Sequence, residues 1–345
     1  MKSTTDKHIV IGMIGTGFIS QVHMRAYRKR NDVTVKALAD TNQGLLASRG
    51  KEFGIRALYP DYRYMLEDPD INTIDIMTPH FLHATCVSDA LKAKKNIICE
   101  KPVATNLKDL DMMIKTAATA RKYIYIKQYL RFSSVNQKMQ ELLKQHAIGK
   151  PYLAQCTFTS YSPQDYQNPR SWRGNTKEAG GGVFMDIGVH MLDQLQLAFG
   201  SPISTFAQYK KVTTTLPQKG EDFACAMIEF PNDVMATINC TENDTAYGFR
   251  WEIRIYGTDG AIIIVDKGNQ EKTLQVIKDN RIVTSLTETN WWEQANILAL
   301  HDIIDNIQAH RSPTVSLDHA RSVLNTIIQT YTSAATNKKI SIRAR

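Results

Sequence analysis

Short apolar runs separated by helix-length segments fill the first third of the chain. They cover residues 9–14, 33–39, 73–77, 96–99 and 123–126. Each run is rich in β-branched residues and too short for a buried helix, so the pattern predicts parallel strands joined by helical crossovers. Cap chemistry locates some of the helices. Asn106 stands before Leu107 as an N-cap, with acidic residues in the next turn. Val135, Met139, Leu142 and Leu143 keep helical spacing until Gly149 and Pro151 end it. This is the alternation of an α/β doubly wound sheet.

Beyond Pro151 the texture changes. Residues 152–158, 223–230, 234–238, 251–256 and 261–265 read as strands. Pro231-Asn232-Asp233 and Gly257-Thr258-Asp259-Gly260 supply turns between consecutive runs, which predicts successive hairpins in a mainly antiparallel sheet. Two helices, near 293–310 and 317–336, close this part. With 345 residues the chain exceeds what one core usually organises. The expected domains are 1–129, α/β, and 130–345, α+β.

Candidate chemistry gathers where predicted strands end. Gly15-Thr16-Gly17-Phe18-Ile19-Ser20 follows the first strand and has the form of a dinucleotide-binding fingerprint, with Ser20 in the third glycine position. Gly15 permits a tight turn, and Gly17 lets backbone approach a pyrophosphate at a helix N-terminus. Asp40 ends the second strand at a spacing suited to accepting hydrogen bonds from a ribose. Its charge also disfavours a 2′-phosphate, so NAD is expected over NADP. Asn42 and Arg49 keep NADP open, and Asp40 has a second reading as the cap of the helix starting near Gln43. Thr78-Pro79-His80-Phe81-Leu82-His83 follows the strand at 73–77, and His83 is expected to orient a cofactor loop.

Lys101, in Glu100-Lys101-Pro102, sits at the carboxyl end of the strand at 96–99, the edge where open α/β sheets bind ligands. An ordinary surface lysine is the competing reading. A second constellation is Gly180-Gly181-Gly182 followed by Asp186 and His190, four apart and thus on one helical face. After three glycines this reads as a helix end presented to a ligand, though such a pair also serves as a plain surface contact. Tyr161, Trp172 and Arg173 precede it. Trp172 offers an apolar face to ring C–H groups, and Arg173 a fork for a carboxylate or phosphate, unless both simply pack.

Composition narrows the class. Apolar residues make up 43% and charged residues 22%, ordinary for a globular chain. No stretch reaches the roughly 20 apolar residues of a membrane helix, and residues 1–6 lack the apolar core of a signal peptide. Five scattered cysteines show no zinc spacing, so no metal is expected and a reducing cytoplasm fits best. The net charge of +8 is spread along the chain without a nucleic-acid motif, so no nucleic-acid partner is expected.

Taken in order, Gly15-x-Gly17, Asp40, Thr78-Pro79, Glu100-Lys101-Pro102, Arg131-Phe132, Trp172-Arg173, and Gly180-Gly181-Gly182 with Asp186-x-x-x-His190 resemble the glucose-fructose oxidoreductase / inositol dehydrogenase / rhizopine catabolism protein family over nearly the whole chain. Ser20 and His80 depart from its commonest pattern. The resemblance implies an NAD(P)-binding Rossmann domain and a C-terminal α+β domain whose large open sheet forms a homodimer or homotetramer. It also implies that Lys101 lies beside the nicotinamide and that Asp186 and His190 project into the same cleft. Phe18, Ile19, Glu100 and Gln128 join the expected cofactor contacts, and Tyr161, Trp172 and Arg173 the substrate contacts. The expected activity is oxidation of a secondary hydroxyl of a sugar, cyclitol or sugar derivative to a ketone, or the reverse. His190 would act as base, its ordinary pKa of about 6.5 suiting neutral pH. Lys101 would polarise the oxygen, and Asp186 would orient His190 or bind a neighbouring hydroxyl. Two alternatives stand beside this. One is a glycosidase that uses the same apparatus to oxidise its substrate transiently with bound NAD, marked by cleavage without net NADH. The other is a non-catalytic NAD-binding redox regulator, marked by binding without turnover, whose expected signature is a Rossmann domain lacking catalytic groups, whereas Lys101, Asp186 and His190 are all present.

Overall fold

The structure, a computed structural model, describes residues 8–246 and 248–342; the amino-terminal residues 1–6 lie outside them. The chain divides into two units, Met1–Tyr129 with Glu293–His319, and Leu130–Trp292 with Ala320–Arg345.

The first unit holds a six-stranded sheet of β1 (Ile9–Ile14), β2 (Val33–Ala39), β3 (Ala57–Tyr59), β4 (Thr73–Ile76), β5 (Asn96–Glu100) and β6 (Ile124–Lys127). The order is β3-β2-β1-β4-β5-β6 with every neighbouring pair parallel. Crossovers are made by α1 (Phe18–Tyr27), α2 (Gln43–Phe53), α3 (Tyr62–Leu66), α4 (His83–Lys92) and α5 (Leu107–Ala120). Strand order reverses between β1 and β4, so the loops after those strands diverge and leave a crevice at their carboxyl ends. Ile11, Met13, Leu38 and Ile98 are wholly buried, as strands covered on both faces require. The three residues of β3 are only half-buried, too short a run to register as a strand in the sequence.

The second unit begins with α6 (Ser134–Lys144), β7 (Pro151–Thr159), α7 (Pro163–Tyr166), α8 (Thr176–Ala179) and α9 (Val189–Phe199). Strands β8 (Ser204–Lys210), β9 (Phe223–Phe230), β10 (Val234–Thr241), β11 (Arg250–Gly257), β12 (Gly260–Asp266), β13 (Glu271–Lys278) and β14 (Arg281–Thr289) come next. The chain ends with α10 (Trp291–Gln308), α11 (Leu317–Thr336) and β15 (Ile340–Ser341). Among the described residues, nine strands form one sheet in the order β14-β13-β12-β11-β7-β10-β9-β8-β15. Within it β7 and β10 are parallel neighbours, and the other pairs are antiparallel. Alternation gives it two faces: Ala224, Ala226 and Ile228 are buried while Cys225 and Met227 between them are exposed.

The sequence pattern assigns all of 130–345 to the second domain, and here it needs correction. From Glu293 to His319 the chain belongs to the first unit. Leu300, Ile303, Ile304 and Ile307 of α10 pack into the same core cluster as Ile9, Met13 and Tyr27. The polar side of the helix is fastened as well. Arg30 pairs with Asp305 at 2.7 Å, and Gln308 donates to Asp32 at 3.0 Å. Helical periodicity shows that α10 has an apolar face but not which sheet that face covers.

Ile304 is wholly buried in the first unit's core. Ile304→Ala is expected to cost about 2–5 kcal/mol of that unit's stability, read by denaturant unfolding. A loss within about 0.5 kcal/mol, the range of a neutral surface change, would contradict the assignment of α10.

Candidate functional site

In the first unit the site grows from three strand ends. Gly15 follows β1 with φ of +95°, and a Cβ there would lie 2.6 Å from the carbonyl oxygen of Met77, at the end of the neighbouring β4. No other residue type satisfies both conditions without strain. Gly17 precedes α1, and a Cβ on it would meet nothing within 4 Å. The first turn of α1 holds no acidic residue, and no side chain caps it. An open space over an uncapped helix start is where a pyrophosphate fits. Ser20, wholly buried, donates to the carbonyl of Gly17 at 2.7 Å, so the third glycine position holds a side chain without losing the turn.

Asp40 is not a helix cap. Asn42 caps α2 by accepting from Leu45 N–H at 3.0 Å. Asp40 instead holds the fingerprint turn: its Oδ2 accepts from the Thr16 N–H and hydroxyl, both at 2.8 Å, and its Oδ1 accepts from Asn42 N–H at 2.9 Å. Arg49 donates to the Thr16 carbonyl at 3.2 Å and is ion-paired with Glu52.

His83 is buried between the loops after β4 and β5. Its two ring nitrogens each lie 2.9 Å from a carbonyl oxygen, those of Thr78 and Pro102. Burial pushes its pKa down, and the contacts with the Pro102 and Thr78 carbonyls oppose that fall. The ring thus ties the Thr78-Pro79 loop to the loop of Lys101. Lys101 is half-buried, with a cis peptide bond to Pro102, and its N–H donates to Glu100 Oε2 at 3.2 Å. Glu100, expected among the cofactor contacts, has its other oxygen engaged by Lys127 at 2.7 Å and by His23 at 3.0 Å. Gln128 and His80 are buried. Phe18 is exposed at the start of α1, with Ile19 half-buried beside it.

In the second unit Asp186 and His190 are both buried. Asp186 lies in a single π-helical turn, Phe184–Gly188, that leads into α9. Such turns re-aim side chains within a helix. Asp186 Oδ2 accepts from Arg173 at 2.5 Å, and Asp165 stands 3.7 Å from the same guanidinium. These carboxylates raise the Arg173 pKa above its already high ordinary value, the nearer Asp186 most. The guanidinium also lies 5.1 Å from the Trp172 ring. The His190 ring is set edge-on to Trp251 at 6.2 Å, and Tyr161 is exposed, bridged to Asn243. Lys101 and its neighbours belong to the first unit, whereas Tyr161, Trp172, Arg173, Asp186 and His190 belong to the second.

The triple glycine has a different physical reason from the one its pattern suggests. A Cβ on Gly182 would lie 2.0 Å from the Glu221 carbonyl oxygen. The Glu221 side chain accepts from Gly182 N–H at 3.1 Å, Phe184 N–H at 3.0 Å and the Tyr331 hydroxyl at 2.7 Å. The start of the Asp186 segment is therefore held by the protein's own carboxylate, and glycine is required for packing there.

Two site-shaping residues are invisible in the sequence pattern. Lys219 is wholly buried and donates to the carbonyls of Asp165, Ser171 and Arg173 at 2.8, 2.5 and 2.6 Å, which fixes the segment carrying Trp172 and Arg173. Its three donors match three acceptors, but in the sequence it is one charge in a polar loop. Glu242, just past β10, is buried with Oε2 lacking a hydrogen-bond partner. Burial pushes its pKa up to about 7, and the Asp186 charge adds to the rise. Only its place after an alternating strand hints at this.

Residues 9–128 match the family model described as "Oxidoreductase family, NAD-binding Rossmann fold", and residues 136–263 match the one described as "GFO/IDH/MocA C-terminal domain". The chain is 24% identical over 323 residues to the myo-inositol 2-dehydrogenase of Thermotoga maritima, covering 91% of this chain and 92% of that one. It is 26% identical over 324 residues to the D-apiose dehydrogenase of Paraburkholderia graminis, covering 89% and 80%. Its fold resembles a solved structure of levoglucosan dehydrogenase in complex with NADH, with a TM-score of 0.86 at 23% identity over 97% of this chain and 99% of that one.

Glu242 carries a pH prediction. A carboxyl whose pKa rises from 4.5 to about 7 on folding stabilises the fold fully below pH 4.5, and that contribution is lost as pH rises through 7. Glu242→Gln should therefore lose less melting temperature than the unmodified chain between pH 5 and 8, as read by calorimetry. Equal slopes in the two proteins would contradict the assignment.

Proposed function

Because the chain belongs to the GFO/IDH/MocA family of NAD-binding oxidoreductases, we propose that it is a dehydrogenase that oxidises a secondary hydroxyl of a sugar, cyclitol or sugar derivative to a ketone, or runs that reaction in reverse. The observation that carries this is Lys101, a half-buried cation at the carboxyl end of β5, whose backbone is held by Glu100 and whose loop is tied by His83 to the loop after β4.

Gly15, Gly17, Phe18 and Ile19 would hold the pyrophosphate of NAD, Asp40 the adenosine ribose, and Thr78, Pro79 and Gln128 the remainder. Bound NAD supplies the hydride acceptor or donor. Asp40 retains acceptor capacity beyond the three bonds it already makes, and its charge opposes a 2′-phosphate. Arg49, the nearby cation that would favour such a phosphate, is neutralised by Glu52, which supports NAD over NADP. His190 takes the hydroxyl proton as general base. Lys101 donates to the same oxygen and stabilises negative charge as it develops. Asp186, with Arg173, binds a neighbouring hydroxyl. Since Asp186 and Asp165 already balance Arg173, the substrate is expected to be uncharged rather than a sugar acid or phosphate. The names of the relatives, inositol, apiose and levoglucosan dehydrogenases, agree with a neutral polyol.

The enzyme is further proposed to form a dimer or tetramer through the open face of its nine-stranded sheet. There Phe206 and Met227 are direct cross-strand neighbours, and both are exposed. Sedimentation equilibrium should give at least twice the monomer mass for the unmodified chain and a shift toward monomer for Phe206→Asp/Met227→Asp. A monomeric parent would refute this assembly.

The activity is tested by NADH appearance over a panel of neutral sugars, anhydrosugars and inositols beside sugar acids and sugar phosphates. On the best substrate, Lys101→Ala and His190→Ala variants that still bind NAD should each lose at least about 100-fold in turnover. Normal turnover in either would defeat its role, and a preference for NADP in the same panel would overturn the reading of Asp40.

A further inference from the structure

Five polar side chains meet inside the first unit, behind the backbone of Lys101. They are His23 and Tyr27 of α1, Asp75 of β4, Glu100 of β5 and Lys127 of β6. His23 and Asp75 are wholly buried, and Lys127 is 1% exposed. His23 Nδ1 lies 2.6 Å from Asp75 Oδ2, which also accepts from the Tyr27 hydroxyl at 2.8 Å. His23 Nε2 lies 3.0 Å from Glu100 Oε1, and Lys127 donates to that same oxygen at 2.7 Å.

Burial alone would lower the His23 pKa, but Asp75 lifts it above the ordinary value. Burial would likewise raise Glu100, yet the Lys127 charge holds it well below the usual carboxylate range. Asp75 and Glu100 thus face His23 and Lys127 inside the unit, and Lys127 Nζ also lies 3.1 Å from His23 Nε2. Such a cluster is a poor way to gain stability, because apolar residues of equal volume commonly do as well. What it offers is direction. Glu100 Oε1 is fixed by His23 and Lys127, which leaves Oε2 aimed at the N–H of Lys101. On the other side of Lys101, the Pro102 carbonyl is held by His83.

We propose that Glu100, anchored by His23 and Lys127, is a positioning residue that fixes the backbone from which Lys101 reaches the substrate oxygen. The inference rests on Lys101 being the group that polarises that oxygen. It separates Glu100 from the cofactor contacts and brings His23, beyond the first turn of α1, into the apparatus.

The test is a mutant cycle in the full chain. Glu100→Gln/Lys127→Met removes one anion and one cation together, so no lone charge stays buried. His23→Gln serves as a second variant should the pair fail to fold. Either should lower kcat about 10-fold or more on the best substrate while KM and the Kd for NAD stay within about twofold. In the Lys101→Ala background the same changes should alter kcat by less than about twofold, since residues acting through one group are not additive. Losses as large in that background as in the unmodified chain, or losses confined to NAD affinity, would overturn the positioning role alone. Normal turnover in Lys101→Ala by itself would overturn both readings.

Discussion

Glu100 lies where β5 stops, away from water, and its two oxygens take up an imidazole, an ammonium and a backbone amide. A carboxylate withdrawn from solvent must be answered by donors or it gives up its charge, and the donors it recruits are fixed by it in turn. The same constraint recurs wherever a loop must hold one shape. Asp40 gathers the fingerprint turn through Thr16. Asp222 accepts from the consecutive amides of Val212, Thr213 and Thr214. Glu221 closes the start of the Asp186 segment, although burial still pushes its pKa up to about 7 against its donors, and Glu288 accepts from the amides of Ser134 and Val135 at the start of α6. Hydrogen bonds to an ionised acceptor are worth roughly 1.5–3 kcal/mol each, so a carboxylate taking two or three of them can outweigh the entropy of a few ordered residues.

Apolar packing sets the layers but does not determine where a side chain at a strand end is aimed. Ile11, Met13 and Ile98 bury the parallel sheet whatever loops leave its strand ends. The loops after β1, β4 and β5 are aimed by polar contacts: Asp40 on Thr16, His83 between two carbonyls, and Glu100 on the Lys101 amide. In the second unit Lys219 has the opposite sign and the same effect, one ammonium gathering three carbonyls from a segment with little regular structure.

Strands and helices with a strong local period are legible from the sequence. The runs at 9–14, 33–39 and 223–230 coincide with β1, β2 and β9, because alternation and β-branching are local properties. The edge strands β3 and β15 have three and two residues, too few to carry a period. The side to which α10 belongs is also hidden, since a helical stripe does not name its partner. Gly15 can be read correctly because a fingerprint turn has one steric reason. Gly182 cannot, because its crowding comes from Glu221, distant in sequence. His23, Lys127, Lys219 and Glu242 are missed for a common reason. A buried charge looks like a surface charge until the partners that surround it are known.

The return of α10 to the first unit has a consequence for synthesis. Translation delivers β1 to β6 early, but the core around Ile9, Met13 and Tyr27 stays unfinished until Leu300, Ile304 and Ile307 leave the ribosome. Most of the second unit emerges before the first can close. The first unit can thus close only shortly before the second, which itself waits for residues 320–345, so the usual lead of an N-terminal domain shrinks to the last stretch of synthesis.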